Sequence, residues 1–449
     1  LRVRPLVRVA AVSALLGCGS EPAADNLLFI SFDTTRADHL SAYGHPVDTS
    51  PVIDALAARG ALFERAYTHV PSTLSAHSSM LTGLLPPSHG VRCNGKLRLA
   101  EERLTLAEIL RSEGFATAAV LAAFPLDGRF GLGQGFDLYD DDFAATAFSG
   151  RSRRGKRDNP GTWIKHQYTD FERGADEVTD RALGWLRDQG DRWFLFVHYF
   201  DPHAPYEPAS HWAERFDDPY DAEIAYADFH LGRLLDEVAT MPGRTLIVFT
   251  ADHGEGLDAH DELRHGLRLY DTTVRIPLVI VLDGTVVAGQ RIEGAVAHVD
   301  LVPTVLDLLR VAHPPGLEGQ SLAAPITGGR APAARPVYIE SLIGMLEMPS
   351  VNRDVRAIVM DDDKYILTRS RRADDPPVTR ELYDIAGDPG EMRNRAGTDA
   401  ARATRLDEQL TNMLERLEAR APAPVPFAMD ADTRRRLESL GYLGGREDR

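Results

Sequence analysis

Two stretches of the chain carry side chains that can do chemistry. Thr73-Leu74-Ser75-Ala76-His77-Ser78-Ser79-Met80-Leu81-Thr82-Gly83 reads as a helix that opens on a hydroxyl and closes on a glycine. Thr250-Ala251-Asp252-His253-Gly254-Glu255 sets an acid beside an imidazole where the apolar strand 245–250 stops. A helix N-terminus offers backbone N–H groups and a favourable dipole to an anion. A carboxylate and an imidazole at a strand end can hold a divalent cation. A hydroxyl nucleophile beside such a cation is the equipment for breaking an ester of sulfate or phosphate. The plainer roles for the same residues are an N-capping threonine and a helix-capping pair.

These groups act together only if the fold gathers them. The apolar run 26–31 predicts a buried strand that ends at Asp33. Helices are expected at 49–60, 104–114, 176–189, 221–240 and 299–311, and strands at 116–121, 193–199, 245–250 and 277–282. This alternation predicts an α/β fold, a large mostly parallel sheet with helices on both faces. Asp33, then Asp201 and His203, then Asp252 and His253 each follow a strand. They fall on the edge where open α/β sheets bind ligands. Past residue 327 the texture changes to short strands at 336–341, 355–360 and 364–368, with Asp361-Asp362-Asp363 as a turn, and a helix at 402–420. The expected division is an export signal at 1–18, a catalytic domain at 26–327, a small C-terminal α+β domain at 328–420 and a tail at 421–449. Residues 148–162, with Arg151, Arg153, Arg154, Lys156 and Arg157, read as a basic surface loop or a flap near an anionic substrate.

The chain has 449 residues, 43% hydrophobic and 26% charged, an ordinary globular composition. Its net charge of −17 argues against nucleic acid as a partner, because phosphate backbones call for basic surface. A small anionic substrate is still compatible, since a metal and local dipoles dominate inside a pocket. Arg2, Arg4 and Arg8 precede an apolar run at 9–17 that is shorter than the roughly 20 residues of a membrane-spanning helix. It reads as a secretion signal. Leu15-Leu16-Gly17-Cys18 resembles the lipobox of bacterial lipoproteins, which implies cleavage before Cys18 and a lipid anchor on that thiol. The expected location is therefore periplasmic or cell-surface, anchored to a bacterial membrane. Cys93 is the only other cysteine, so with Cys18 lipidated no disulfide is expected, and Cys93 reads as a small buried residue.

Six segments in order resemble the sulfatase family of the alkaline-phosphatase-like superfamily. They are Asp33-Thr34-Thr35-Arg36-Ala37-Asp38, the run Thr73 to Gly83 with Pro86-Pro87-Ser88-His89-Gly90-Val91, and His198-Tyr199-Phe200-Asp201-Pro202-His203-Ala204-Pro205-Tyr206. Asp252-His253-Gly254-Glu255 follows, then His265-Gly266 through Tyr270 with Arg275-Ile276-Pro277, and finally Leu382-Tyr383-Asp384 with Asp388-Pro389 and Glu391 to Asn394. The resemblance implies that Asp33, Asp252 and His253 bind one divalent metal ion (calcium, magnesium, manganese or zinc). It implies that Thr73 stands at the nucleophile position, that His77, His203 and His265 serve catalysis, and that Arg36, Asn94 and Lys96 contact substrate. His260 is a candidate to support the metal site from outside. Asp201, His203 and His265 are the groups to consider for a second metal.

The chain departs from the family pattern at four places. The signature has cysteine or serine, then proline two residues on and arginine four residues on; here those positions hold Thr73, Ser75 and His77. Thr34 stands where standard sulfatases carry a second aspartate. A threonine cannot be oxidised to formylglycine, so no spare hydroxyl exists to expel the anion by carbon–oxygen cleavage. A covalent Thr73 ester would be released by water attacking sulfur or phosphorus, as in superfamily phosphatases that use serine or threonine. The expected function is hydrolysis of a sulfate or phosphate-type ester, with a lean toward phosphorus. The alternatives are transfer of a phospho group to a glycan or lipid, and a non-catalytic binding protein on the same fold.

Overall fold

The computed structural model describes residues 24–143, 172–208, 210–348 and 350–439. The lipobox with Cys18 and the basic loop 148–162 lie outside the described residues.

Asn26–Phe32, Trp193–Tyr199 and Thr245–Ala251 form adjacent parallel strands at the centre of a nine-stranded sheet. Alternate residues of a strand face opposite sides. All seven residues of Asn26–Phe32 and of Trp193–Tyr199 are buried, so both faces of the sheet are covered. Edge-to-face rings lock the strands together: Phe29 lies 5.6 Å from Phe196, and Phe32 lies 5.1 Å from both Tyr199 and Phe249. The sheet runs in the order Gln290–Ala297, Ala61–Tyr67, Leu278–Val281, Thr245–Ala251, Asn26–Phe32, Trp193–Tyr199, Ala116–Val120, Leu138–Asp140, and Leu278–Val281 alone on this path is antiparallel to its neighbours. This is the expected α/β fold.

The strands Ala61–Tyr67, Gln290–Ala297 and Val378–Asp384 have no counterpart in the sequence reading. Each breaks its apolar pattern. Ala61–Tyr67 carries Glu64 and Arg65 in its middle, and the Glu64 carbonyl and carboxylate are taken by Arg275 and Arg291 respectively. Helix ends follow capping chemistry more closely than periodicity. The helix expected from residue 104 begins at Leu106, because the Thr105 hydroxyl accepts from Glu108 N at 3.1 Å and Glu108 accepts from Thr105 N at 2.9 Å.

Val337–Ser341, Arg353–Met360, Asp363–Ser370 and Val378–Asp384 form a separate antiparallel sheet in that order. The helix Ala400–Glu418 packs on it through Leu406 and Leu410. The small sheet is fastened to the large unit near the helix Thr73–Thr82, since Glu340 N donates to His69 O at 2.9 Å. The chain after residue 420 returns to the large unit. Val425–Pro426 pairs with Leu97–Arg98, and Leu437 is buried in the main core. Among the described residues no helix is long and apolar enough to cross a membrane.

Candidate active site

The parallel register decides what meets at the sheet's edge. Ser31 is level with His198 on one neighbour and Thr250 on the other. Just beyond the strand ends, Asp33 N donates to Tyr199 O at 2.9 Å and Asp252 N donates to Phe32 O at 3.2 Å. Both acids are therefore held by the backbone of a neighbouring strand.

Asp252 Oδ1 accepts the amides of Thr34 at 3.1 Å and His253 at 2.7 Å. Thr34 reaches this position with φ at +48°, a conformation uncommon for a β-branched residue. The second oxygen of Asp252, Oδ2, has no hydrogen-bond partner among the described residues and lies 3.4 Å from His253 Nε2. His253 Nδ1 is 2.9 Å from the Gly254 carbonyl. A carbonyl only accepts, so Nδ1 carries the proton and Nε2 the lone pair. That lone pair faces the Asp252 carboxylate and Asp33 Oδ1, the latter 3.9 Å away. Gly254 makes the tight approach possible: a Cβ there would lie 2.1 Å from the Thr272 carbonyl oxygen.

Donor atoms of Asp33, Asp252 and His253 all lie within 4.8 Å of one another, fully buried. Burial pushes Asp33 up to about 8 against the pull of His265, and the Glu255 charge adds to the rise. Burial also raises Asp252, with the Asp33 charge next in weight. Two buried acids and a lone pair aimed at them are costly unless a positive charge sits between them. The set fits a divalent cation.

The helix Thr73–Thr82 is buried along its whole length and ends at Gly83, which takes φ of 66°. Its first residue meets the acids, for the Thr73 side chain lies beside the Asp33 carboxyl group and lowers its pKa. Asn94 Oδ1 accepts from Leu74 N at 3.0 Å, while Asn94 N donates to Glu347 Oε1 at 2.6 Å. Asn94 thus ties the helix start to the small unit. His77 lies one turn on. Its Nδ1 donates to Thr73 O at 2.7 Å and its Nε2 pairs with Ser31 Oγ at 3.1 Å, so both nitrogens are engaged.

A second group of imidazoles borders the acids. His265 Nδ1 pairs with Glu255 Oε1 at 3.2 Å, and Tyr206 donates its hydroxyl to Glu255 Oε2 at 3.0 Å. Burial alone would raise Glu255, but the charge and hydrogen bond of His265 hold it below the usual range. The His265 ring lies 4.3 Å from that of His253 and 5.4 Å from that of His203. His203 stacks on Phe200 at 4.2 Å and donates Nδ1–H to Ala204 O at 2.7 Å. Burial lowers its pKa well below the ordinary histidine value.

Other candidates are placed differently. The Arg36 guanidinium forks onto Asp38 at 2.9 and 2.6 Å and reaches the Glu255 and Gly256 carbonyls at 3.4 and 3.5 Å, so it braces the loop that carries His253. Lys96 Nζ is bound to the Leu346 carbonyl. Asp201 Oδ2 accepts from Ala175 N at 2.8 Å and so caps a helix. His260 stacks on Tyr270 at 3.7 Å. Cys93 is buried, and burial raises its thiol pKa.

A cavity of about 400 Å³ opens beside the group, lined by Ser72, Asn94, His203, His265 and Glu347, with Arg264, Arg268, Arg353 and Arg372 among its other walls. The sequence reading assigned no part to these arginines, to Tyr206 and Glu255, or to His198. Glu255 lies within the Asp252 motif, and His198 interrupts an otherwise apolar strand; those were the available signals.

Residues 25–311 match the sulfatase family, and residues 265–420 match the family described as N-sulphoglucosamine sulphohydrolase, C-terminal. An uncharacterised sulfatase of Escherichia coli is 26% identical over 82% of this chain and 82% of its own. An arylsulfatase of Clostridium perfringens is 23% identical over 88% of this chain and 95% of its own. Among solved structures, BT4656 in complex with its substrate D-glucosamine-2-N,6-O-disulfate superposes with a TM-score of 0.72 at 20% identity, over 89% of this chain and 99% of that one. The phosphonate monoester hydrolase of Agrobacterium radiobacter superposes with a TM-score of 0.66 at 22% identity, over 88% and 96%.

Proposed function

The chain belongs to the sulfatase family, and from that premise we propose that it is a metal-dependent hydrolase that cleaves sulfate or phosphate-type esters through Thr73, with phosphorus the preferred centre. The observation that carries this reading is the Thr73 side chain set beside Asp33 at the start of a buried helix, with Asp252 and His253 grouped on the same acid.

Asp33, Asp252 and His253 are the residues that would hold the divalent cation. Bound there, the cation would neutralise charge on the ester oxygens and acidify the nucleophilic hydroxyl. Thr73 Oγ forms a bond to phosphorus as the bond to the alcohol oxygen breaks, and its proton passes toward the neighbouring Asp33 carboxylate. His265, held at Nδ1 by Glu255 beside the acids, is placed to protonate the departing alcohol. His203 is kept neutral by burial and acts as a hydrogen-bonding partner to substrate, not as the acid. Water then attacks phosphorus, returns a proton to His265, and releases Thr73 with the proton held at Asp33. His77 positions the helix start through the Thr73 carbonyl. Arg264 and Arg268 on the cavity wall suit an anionic substrate.

The sugar disulfate held by BT4656 makes sugar-borne esters a substrate class to include. Export and a lipid anchor at Cys18 are part of the same proposal, resting on the charged start, the short apolar run and the lipobox. The test is a panel of aryl sulfate, phosphate monoester, phosphodiester, phosphonate and sulfated-sugar substrates with calcium, magnesium, manganese and zinc, run beside Thr73→Ala. Turnover of sulfate esters alone would remove the preference for phosphorus. Undiminished activity in Thr73→Ala would remove the covalent step.

A further inference from the structure

We propose that His39, His45 and Asp221 form a second metal site, separate from the sheet-edge acids, which takes zinc or a neighbouring first-row ion and ties the loop after the first strand to the helix Pro219–Val238. The site shares no residue with Asp33, Asp252 and His253. It stands whether or not those three bind a cation.

The three donors come together from two distant segments. His39 closes the short turn Ala37–His39, and His45 follows Gly44, which takes φ of 98°. A reversal at that angle is cheap only for a residue without a Cβ. Asp221 stands in the first turn of Pro219–Val238, 182 residues beyond His39 and 176 beyond His45. His39 Nδ1 lies 2.7 Å from Asp221 Oδ1, and His45 Nε2 lies 3.0 Å from Asp221 Oδ2. The two imidazoles stack, with centroids 4.9 Å apart and planes 26° apart. Ligand atoms of all three residues lie within 4.8 Å of one another.

The donors are in a state that can take a cation. Burial alone would raise the Asp221 carboxyl group, but the hydrogen bonds of His39 and His45 hold it below the usual range, so it is ionised at neutral pH. Each ring then donates an N–H to one carboxylate oxygen. A neutral imidazole carries a single hydrogen on one of its two nitrogens. Moving that hydrogen to the other nitrogen leaves a lone pair where the N–H was. Tetrahedral bonds of about 2.0–2.2 Å set ligand atoms roughly 3.3–3.6 Å apart, so each ring has to move from the carboxylate by less than about 1 Å. The side chains of His39, His45 and Asp221 keep 16%, 13% and 6% of their exposure, which gives an ion a way in and leaves room for a water at a fourth position.

Two imidazoles and one carboxylate select the class of ion. Calcium and magnesium take oxygen ligands, whereas imidazole suits zinc and its neighbours. The consequence reaches the sheet edge through Tyr220. Its ring meets that of His39 edge to face at 5.0 Å. Its hydroxyl donates to Thr34 O at 2.6 Å and accepts from Arg36 N at 2.9 Å. An ion on His39, His45 and Asp221 would therefore steady the segment that follows Asp33 without touching the ester.

The test is zinc stoichiometry by dialysis and metal analysis on the full-length chain, with X-ray absorption on each zinc-loaded protein. It compares wild type, Asp252→Asn and the double variant His39→Gln/His45→Gln. Two zinc ions are expected per wild-type chain. Asp252→Asn should keep one, coordinated by two imidazoles. The double variant should lose that ion, with an affinity reduced by more than the roughly 10- to 100-fold that losing an outer partner costs. A double variant with wild-type stoichiometry and affinity would overturn the proposal. So would a single wild-type zinc that is lost in Asp252→Asn and kept in the double variant, a result that leaves the sheet-edge site standing. The reverse pattern would support this site and remove the other. Where a variant fails to fold, the wild type still decides: more than one imidazole per zinc on average supports the site, and one or fewer overturns it.

Discussion

Thr73 and Asp33 meet across forty residues of sequence, the threonine side chain set close enough to the aspartate carboxyl group to lower its pKa against burial. This places a hydroxyl, a proton acceptor and the start of a buried helix at one point. Thr73→Ala should lower kcat/KM by at least about a thousandfold while leaving the melting temperature within a few degrees. Thr73→Ser keeps the hydroxyl and should retain measurable turnover. Steady-state kinetics on the best ester, with circular dichroism as the control for folding, check both.

The burial of Asp33 sets a pH dependence for metal binding. Burial holds Asp33 at about 8, above its ordinary 3.8, so the metal-free fold keeps a proton that the unfolded chain loses near pH 4. Stability of the metal-free form should therefore decline as pH rises from about 4 toward about 8, and metal affinity should climb over the same window as the cation displaces that proton. Calorimetry in two buffers of different ionisation enthalpy should register about one proton released per metal near pH 7. Removing the metal with a chelator should lower the melting temperature, more at pH 8 than at pH 5.

The strands that carry the site were legible in the sequence because they are buried on both faces. Runs such as Trp193–Tyr199 are almost wholly apolar and end in polar clusters. Asp33, Thr73, Asp252 and His253 could be grouped before any geometry was known, since each sits at an element boundary. Asn94 reads in the sequence as a candidate substrate contact, but its link between the Leu74 amide and Glu347 carries no sequence signal. Lys96 and Arg36 read in the sequence as candidate substrate contacts. Their partners, the Leu346 carbonyl and Asp38 with the 255–256 backbone, depend on loop paths that carry no periodic signal. His198 was hidden by its own strand. An imidazole in an apolar run reads as core until register places it level with Ser31.

Glu255 and His265 form a pair whose value depends on the leaving group. An aryl alcohol departs without much help, whereas an alkyl alcohol needs a proton. His265→Ala and Glu255→Gln should leave aryl ester hydrolysis within about tenfold of wild type while reducing alkyl ester hydrolysis by roughly 10²–10⁴-fold. A plot of log kcat/KM against leaving-group pKa should be steeper in both variants. Equal losses across the series would assign the pair to binding.

Glu340 connects the small sheet to the start of the helix Thr73–Thr82. Arg92 grips both its oxygens, at 2.7 and 2.6 Å, and Arg356 closes on it from the next strand. Arg92 lies two residues before Asn94, which holds the Leu74 amide. Burial alone would raise the Glu340 pKa, but the charges of Arg356 and Arg92 depress it from 4.5 to about 2. A depressed acid contributes stability that is present above the unfolded pKa and is lost as pH falls through the folded one. Glu340→Gln should therefore cost about 3 kcal/mol at pH 7, and the gap from wild type should close between about pH 4.5 and pH 2. Urea unfolding at a series of pH values measures it. Because the loop 92–96 loosens with this contact, kcat should fall in the same variant at pH 7 with the metal content unchanged. A stability loss with wild-type kcat would show that Asn94 holds the helix start without the small sheet's help.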